Sequence, residues 1–246
     1  MPALQTNIRP RRAVILAAGA GSRLRDVEPL KPLAPVHGEP LIRHAIAAMA
    51  SAGVERVTLV LGNQADSIAA AAQGAAAPVD VVLNEQWAST PNGVSLLAAR
   101  RHIGPGTLLM MADHLVSPLL VQRLVAGANR PLALAVDRRL GHPWVDEADV
   151  TRVRTKGDAI RAIGKNLCVY DCHDTGVFMI GPELVAELDG LASPGLSDGV
   201  QRLAAKGQAQ AVDIGDALWL DVDDWRALAI ARDSWPLPAE LARAAA

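Results

Sequence analysis

Aromatic side chains are scarce in this chain, with five tryptophans, one tyrosine and one phenylalanine in 246 residues. So few rings disfavour a surface on which the bases of single-stranded nucleic acid stack. An excess of either charge is also missing: 24 basic side chains face 26 acidic ones. That leaves no basic footprint for duplex DNA or RNA. Cys168 and Cys172 are the only cysteines, spaced C-x-x-x-C without a second pair. Neither a disulfide framework nor a zinc site is indicated, and the thiols read as reduced, cytosolic ones. No apolar run of about 18 residues occurs, which excludes a membrane-spanning helix. The opening "MPALQTNIRPRR" lacks the apolar core of a secretory signal, so the expectation is a cytoplasmic protein.

What the chain does have is length for one large α/β core and an ordinary balance of half apolar, one-fifth charged residues. The stretch "VILAAGAGSRL", Val14 to Leu24, is its most pointed feature. An apolar run opens directly into small residues and an arginine, a combination that lets backbone N–H groups and a guanidinium approach an anion. A P-loop would end in Gly-Lys-Ser/Thr, whereas Gly21 is followed by Ser22 and Arg23. Gly19 and Gly21 match the first two glycines of the dinucleotide fingerprint, but Leu24 stands where its third should be. A longer open loop that adds cations for a triphosphate remains, with Arg23 and Lys31 as those cations.

Strands and helices alternate through the first half. Ala13 to Ala17, "VERVTLVLG", "PVDVVLN", "GTLLMMAD" and "PLALAVD" read as strands. Pro40 to Ala52, Gln64 to Ala76, Val94 to His102 and Pro118 to Ala126 read as the helices between them. Continuous apolar strands alternating with helices predict a Rossmann-like, mostly parallel sheet covered on both faces. After Asp137 the pattern changes. A hairpin turning at Lys156-Gly157-Asp158 is followed by the strand "HDTGVFMIG", helices over Pro182 to Leu191 and Leu196 to Lys206, and the short strands "AQAVDIG" and "ALWLDV". A last helix runs from Asp223 to about Ser234, and the alanine-rich tail reads as composition only. The expectation is a single domain over 1–246, with a tail at 1–12 and a small β-rich insertion or lid, its hairpin at 138–170 near the second substrate.

Ligands of open α/β sheets bind at the carboxyl ends of the strands. Asp113 ends "TLLMMAD", Asp174 opens "DTGVFMI" and Asp221 ends "ALWLD". A carboxylate closing an apolar strand must be solvated, paired or bound to metal. Beside a phosphate loop, Asp113 and Asp221 favour magnesium shared with substrate phosphates. No Ser-His-Asp or Cys-His spacing suggests a covalent nucleophile. A phosphate monoester needs no base, because its second pKa is about 6 and it is largely dianionic at neutral pH. The enzyme must then overcome repulsion between polyanions, which suits Arg23, Lys31, Lys165 and a metal. Trp219 reads as core, and His114 and His173 as structural neighbours of the aspartates.

"LAAGAGSRL" followed by "KPL" resembles the signature of the nucleoside triphosphate transferases that act on sugar phosphates. "MADH", "IGKNLCVYDCHDTGVFMI" and "LWLDVDD" look like the CTP:inositol-1-phosphate cytidylyltransferase branch, over Val14 to about Leu228. The resemblance implies transfer of CMP from CTP to inositol-1-phosphate. It implies nucleotide binding by Leu16, Ala17, Ala18, Gly19, Ala20, Gly21 and Ser22 together with Asn92, Gly93 and Ser95, and triphosphate contacts from Arg23 and Lys31. Asp113 and Asp221 would hold Mg2+, Lys165 would meet the acceptor phosphate, and Asp174 would face the acceptor. Relatives of this branch also use phosphonates and phosphocholine as acceptors. The family often fuses this part to a membrane-embedded CDP-alcohol phosphotransferase, so a separate such enzyme and a homodimer are the partners to expect. A silent sugar-nucleotide-binding domain is the competing class, and it would be expected to lose a metal aspartate or the loop cation, both of which are present.

Overall fold

The computed structural model describes residues 9–19 and 30–245. Its first strand shows why the sheet reads as unbroken apolar runs. In β1 (Arg12–Ala17), Ala13, Ile15 and Ala17 enter one hydrophobic cluster while Val14 and Leu16 enter the other, on the opposite face. Alternate side chains point to opposite faces, so a strand covered on both sides has no polar positions to spare.

A short hairpin of β2 (Pro35–Val36) and β3 (Glu39–Pro40) turns at His37 and Gly38, both at positive φ, and leads into α1 (Leu41–Ser51). Next come β4 (Arg56–Leu61), α2 (Ala65–Ala71), β5 (Val79–Leu83), α3 (Asn92–Ala98), β6 (Thr107–Met111), β7 (His114–Val116), α4 (Pro118–Gly127) and β8 (Leu132–Asp137). The second half contains β9 (Arg152–Lys156), β10 (Ala159–Gly164), β11 (Cys172–Ile180), α5 (Pro182–Asp189), α6 (Leu196–Ala205) and β12 (Ala209–Asp213). β13 (Trp219–Asp221), α7 (Trp225–Ser234) and α8 (Pro238–Ala244) complete the chain. Among the described residues no helix is long and apolar enough to cross a membrane.

Nine strands form one sheet in the order β5-β4-β1-β6-β11-β8-β12-β10-β9. The expected α/β sheet is present, with β5, β4, β1 and β6 parallel neighbours. One cluster packs α1, α2 and α4 on one face, and the second packs α3, α5 and α6 on the other. The second half does more than extend an edge. β11 runs antiparallel between β6 and β8, so strands four and five of the sequence reading are not neighbours. The hairpin β9–β10 turns at Gly157 (φ +63°), as the Lys-Gly-Asp sequence predicts, and continues the same sheet.

Smaller departures have local causes. The helix expected over Gln64 to Ala76 stops at Ala71, with Gly74 in the left-handed region (φ +66°) three residues on. The one expected from Val94 starts at Asn92 behind Pro91, and Arg100–His102 forms a separate 3-10 turn. Of the C-terminal alanines, Ala244 closes α8, which Pro238 opens at its first turn.

Candidate functional site

A two-stranded ribbon beyond the main sheet brings the distant acids together. β7 pairs with β13 antiparallel, in a register that sets Asp221 opposite His114. The Val222 N–H donates to the Asp113 carbonyl at 3.0 Å, closing the ribbon at that end. Asp113 itself follows β6, at the carboxyl end of the parallel strands, where its sequence position predicts a ligand. It is not a helix cap, because β7 intervenes before α4.

Lys31 lies at the start of a 3-10 turn and is buried. Its ammonium stands 2.7 Å from Asp113 Oδ2 and also pairs with Asp223. Burial works to lower the lysine pKa, but Asp113, Asp221 and Asp223 together raise it above its ordinary value. Burial likewise works to raise Asp113, and Lys31 and His114 outweigh it, holding that carboxyl below the usual range. Asp221 behaves oppositely. Burial, with Asp113 and Asp223 adding repulsion, pushes it up to about 6 against the pull of His114 and Lys31. For His114 burial is opposed by Asp221 and Asp113, with a net upward shift.

The donor set fits a divalent cation. Asp113 Oδ1 and Asp221 Oδ1 are both buried without a hydrogen-bond partner. Ligand atoms of Asp113, His114 and Asp221 lie within 4.8 Å of one another, as do those of Asp149, Asp221 and Asp223. Such orphaned carboxylate oxygens are costly unless an ion or a ligand occupies them.

A cleft of about 280 Å³ opens beside these acids, and Lys165, Asp174 and Asn92 line it with Asp113 and Asp221. Asp174 reaches it because β11 is antiparallel: the beginning of that strand lies where its neighbours end. Its Oδ1 accepts from the Gly176 N–H at 2.7 Å, and burial pushes the carboxyl up to about 6 despite that bond. Lys165 is exposed and pairs with Asp149 at 2.6 Å. Trp144 and Trp219 form part of the wall. The Trp219 indole donates to buried Asp137 at 2.7 Å, and the ring is core, as its place among leucines predicts.

The remaining candidates divide. Leu16, Ala17 and Ala18 are buried, and the backbone emerges at exposed Gly19. Ala20, Gly21, Ser22 and Arg23 lie outside the described residues. Asn92 Oδ1 accepts from the Leu196 N–H at 2.9 Å, tying α3 to α6 at the rim of the cleft. Gly93 permits a close approach, since a Cβ there would stand 2.4 Å from the Pro194 carbonyl oxygen. Ser95 does not line the cleft: it is buried, and its hydroxyl accepts from Asn84.

Sequence reasoning missed Asp223, the second partner of Lys31, and Asp149, the partner of Lys165. The first had a signal in "DVDD", where two carboxylates recur at the strand spacing of two. His173 is fully buried against Glu147 (3.3 Å) and Tyr170, on the side of β11 away from Asp174.

Known proteins share this arrangement of strands. A solved structure titled as the inositol-1-phosphate CTP transferase from T. maritima superposes with a TM-score of 0.82 at 22% identity, covering 94% of this chain and 99% of that one. That likeness is one of fold. A bifunctional IPC transferase and DIPP synthase of Rubrobacter xylanophilus is 34% identical over 216 residues, 86% of this chain and 49% of the relative. A CMP-5'-(3-aminopropyl)phosphonate synthase of Streptomyces rubellomurinus is 33% identical over 237 residues, 87% of this chain and 37% of the relative. The chain thus spans about half or less of the length of these relatives. Residues 13–156, more than half of the sequence, match the MobA-like NTP transferase domain, and the chain belongs to that family.

Proposed function

We propose that this protein transfers CMP from CTP to inositol-1-phosphate, releasing pyrophosphate and giving CDP-inositol. The observation that carries the reading is the convergence of Lys31, Asp113 and Asp221 at one end of a cleft whose other walls offer Lys165 and Asp174. An acceptor phosphate oxygen attacks the α-phosphorus of CTP in line with the bond to the β-phosphate. That attack forms the new P–O bond, and the α–β phosphoanhydride bond breaks with its electrons leaving on pyrophosphate. No proton need be removed from the attacking oxygen, so the protein's work is to bring two polyanions together.

Asp113 and Asp221 would hold Mg2+, which would supply positive charge to offset the negative charge of the phosphates. Lys31, already desolvated and fixed by two carboxylates, would turn its ammonium to the triphosphate. Lys165 would exchange Asp149 for the acceptor phosphate, and Asp174 would accept from an acceptor hydroxyl. The product would pass to a membrane CDP-alcohol phosphotransferase.

The likeness to the Streptomyces phosphonate synthase favours a second acceptor class. Pyrophosphate release should be measured with each of the four NTPs, with and without Mg2+, against inositol-1-phosphate, phosphocholine and small aminoalkylphosphonates. Turnover with CTP and inositol-1-phosphate above all other pairs supports the reading. Preference for a phosphonate would replace the acceptor, and binding of nucleotide without turnover would favour a silent binding domain.

A further inference from the structure

His114 is built into the carboxylate pair rather than merely packed beside it. Its Nδ1 lies 2.8 Å from the Thr175 carbonyl, which can only accept, so Nδ1 carries the proton of that bond. Its Nε2 stands 3.6 Å from Asp113 Oδ1 and 3.6 Å from Asp221 Oδ1. Those separations are too long for hydrogen bonds. They suit a shared ion: two ligand atoms each about 2.1 Å from one cation stand between about 3.0 Å apart at a right angle and about 4.2 Å apart when opposed.

The ring's position is enforced from behind. Gly176 has φ +74°, and a Cβ there would lie 2.4 Å from the His114 ring. Lys31 occupies Asp113 Oδ2 and leaves Oδ1, the unpartnered oxygen, facing the imidazole. A ring nitrogen donating to a backbone carbonyl while the other faces carboxylates is the usual arrangement of a metal-ligating histidine.

We infer that His114 Nε2 is a third protein ligand of the divalent cation, in a two-carboxylate, one-imidazole centre. The inference rests on the metal site of the proposed function and changes its chemistry. Magnesium favours all-oxygen surroundings and usually shares one or two carboxylates with substrate phosphates. An added imidazole favours Mn2+ or Co2+ over Mg2+. Three protein ligands also retain the ion before any nucleotide arrives.

The test uses chelator-treated, nucleotide-free full chain titrated with MnCl2. Free Mn2+ is followed by electron paramagnetic resonance, and the bound ion by electron spin-echo envelope modulation. The expected result is one Mn2+ per chain, bound about tenfold or more tighter than Mg2+ in competition, with modulation from a directly coordinated 14N. His114→Gln should abolish that modulation and weaken Mn2+ about tenfold or more, with circular dichroism reporting the fold. Mn2+ bound without 14N modulation in the wild-type protein overturns the histidine ligand while leaving the carboxylate site standing. Failure of Mn2+ to bind without CTP, when pyrophosphate release still needs a divalent ion, overturns ion-first binding and with it the three-ligand centre. Pyrophosphate release undiminished by chelator would sink the metal site of the proposed function itself.

Discussion

Replacing Lys31 with methionine separates the work of a cation from that of a buried side chain. The lysine side chain is only 8% exposed, and its partners Asp113 and Asp223 are 31% and 24% exposed. Breaking a buried pair by removing one member costs about 3–5 kcal/mol, mainly because the other charge stays behind. These carboxylates keep some water, so the lower end, about 3 kcal/mol, applies here. At this chain length each kcal/mol shifts Tm by about 2–4 °C, so Lys31→Met should melt roughly 6–12 °C below wild type at pH 7.

The sign of the pH effect follows from what remains. Without Lys31 the repulsion between Asp113 and Asp221 loses its counter-charge, and the folded pKa values of these two rise above the unfolded value of about 3.9. A group whose folded pKa is raised binds protons more tightly when folded, so acidification stabilises the variant. Asp221 is already pushed up to about 6 with the lysine present. The deficit should therefore shrink as the pH falls from about 7 to about 5, and a divalent cation should shrink it at pH 7. Calorimetric melts of both proteins, with chelator and with excess Mg2+ or Mn2+, measure all three effects. A variant within 1 °C of wild type (on the order of a third of a kcal/mol), or a deficit indifferent to pH and metal, would refute the reasoning.

Asp113→Asn and Asp221→Asn should each lower kcat a hundredfold or more, about 2.7 kcal/mol in the barrier. Asp221→Asn should leave the melt little changed, whereas Asp113→Asn also takes a charged partner from buried Lys31 and should lower it. Near-normal turnover at saturating Mg2+ would count against metal binding there. Lys165→Ala should raise KM for the acceptor about tenfold with KM for CTP unchanged, in initial-rate assays varying one substrate at a time. Asp137→Ala should destabilise the protein by about 2–4 kcal/mol in urea melts, because the Trp219 indole and Arg139 lose a buried acceptor. Burial opposes ionisation of Asp137, but Arg139 and Trp219 hold its carboxyl below the ordinary range. Its contribution should be fully present above about pH 4 and fade as the pH falls through the depressed value, a slope absent from the alanine variant.

The strands of the first half were legible because burial on both faces leaves an unbroken apolar run, as in "AVILA" and "LALAVD". The same property hid their order. An apolar run carries no mark of its neighbour, so nothing in "HDTGVFMI" shows that it enters between β6 and β8. Three-residue β7 was invisible for another reason: "HLV" is too short for periodicity, and its pairing partner β13 is remote in sequence. Asp113 and Asp221 could still be picked out, since an acid closing an apolar strand is conspicuous. His114 could not, because a single buried histidine acquires its meaning only from the Thr175 carbonyl and the two carboxylates around it.

The family match ends at residue 156, yet the site is not confined to that segment. Asp221 and Asp223 come from β13 and the turn after it, Asp174 and the carbonyl that fixes His114 from β11. β11 also supplies Phe178 and Ile180 to one core cluster and Val177 and Met179 to the other. A chain ending near 156 would therefore leave β6 with an open, apolar edge and take Asp221 and Asp223 away from Lys31 and His114. The strand that completes the core is the one that carries Thr175 and Gly176 to His114. Core packing and the position of the His114 ring are thus set by one strand of the sheet, and a substitution that shifts β11 must disturb both together.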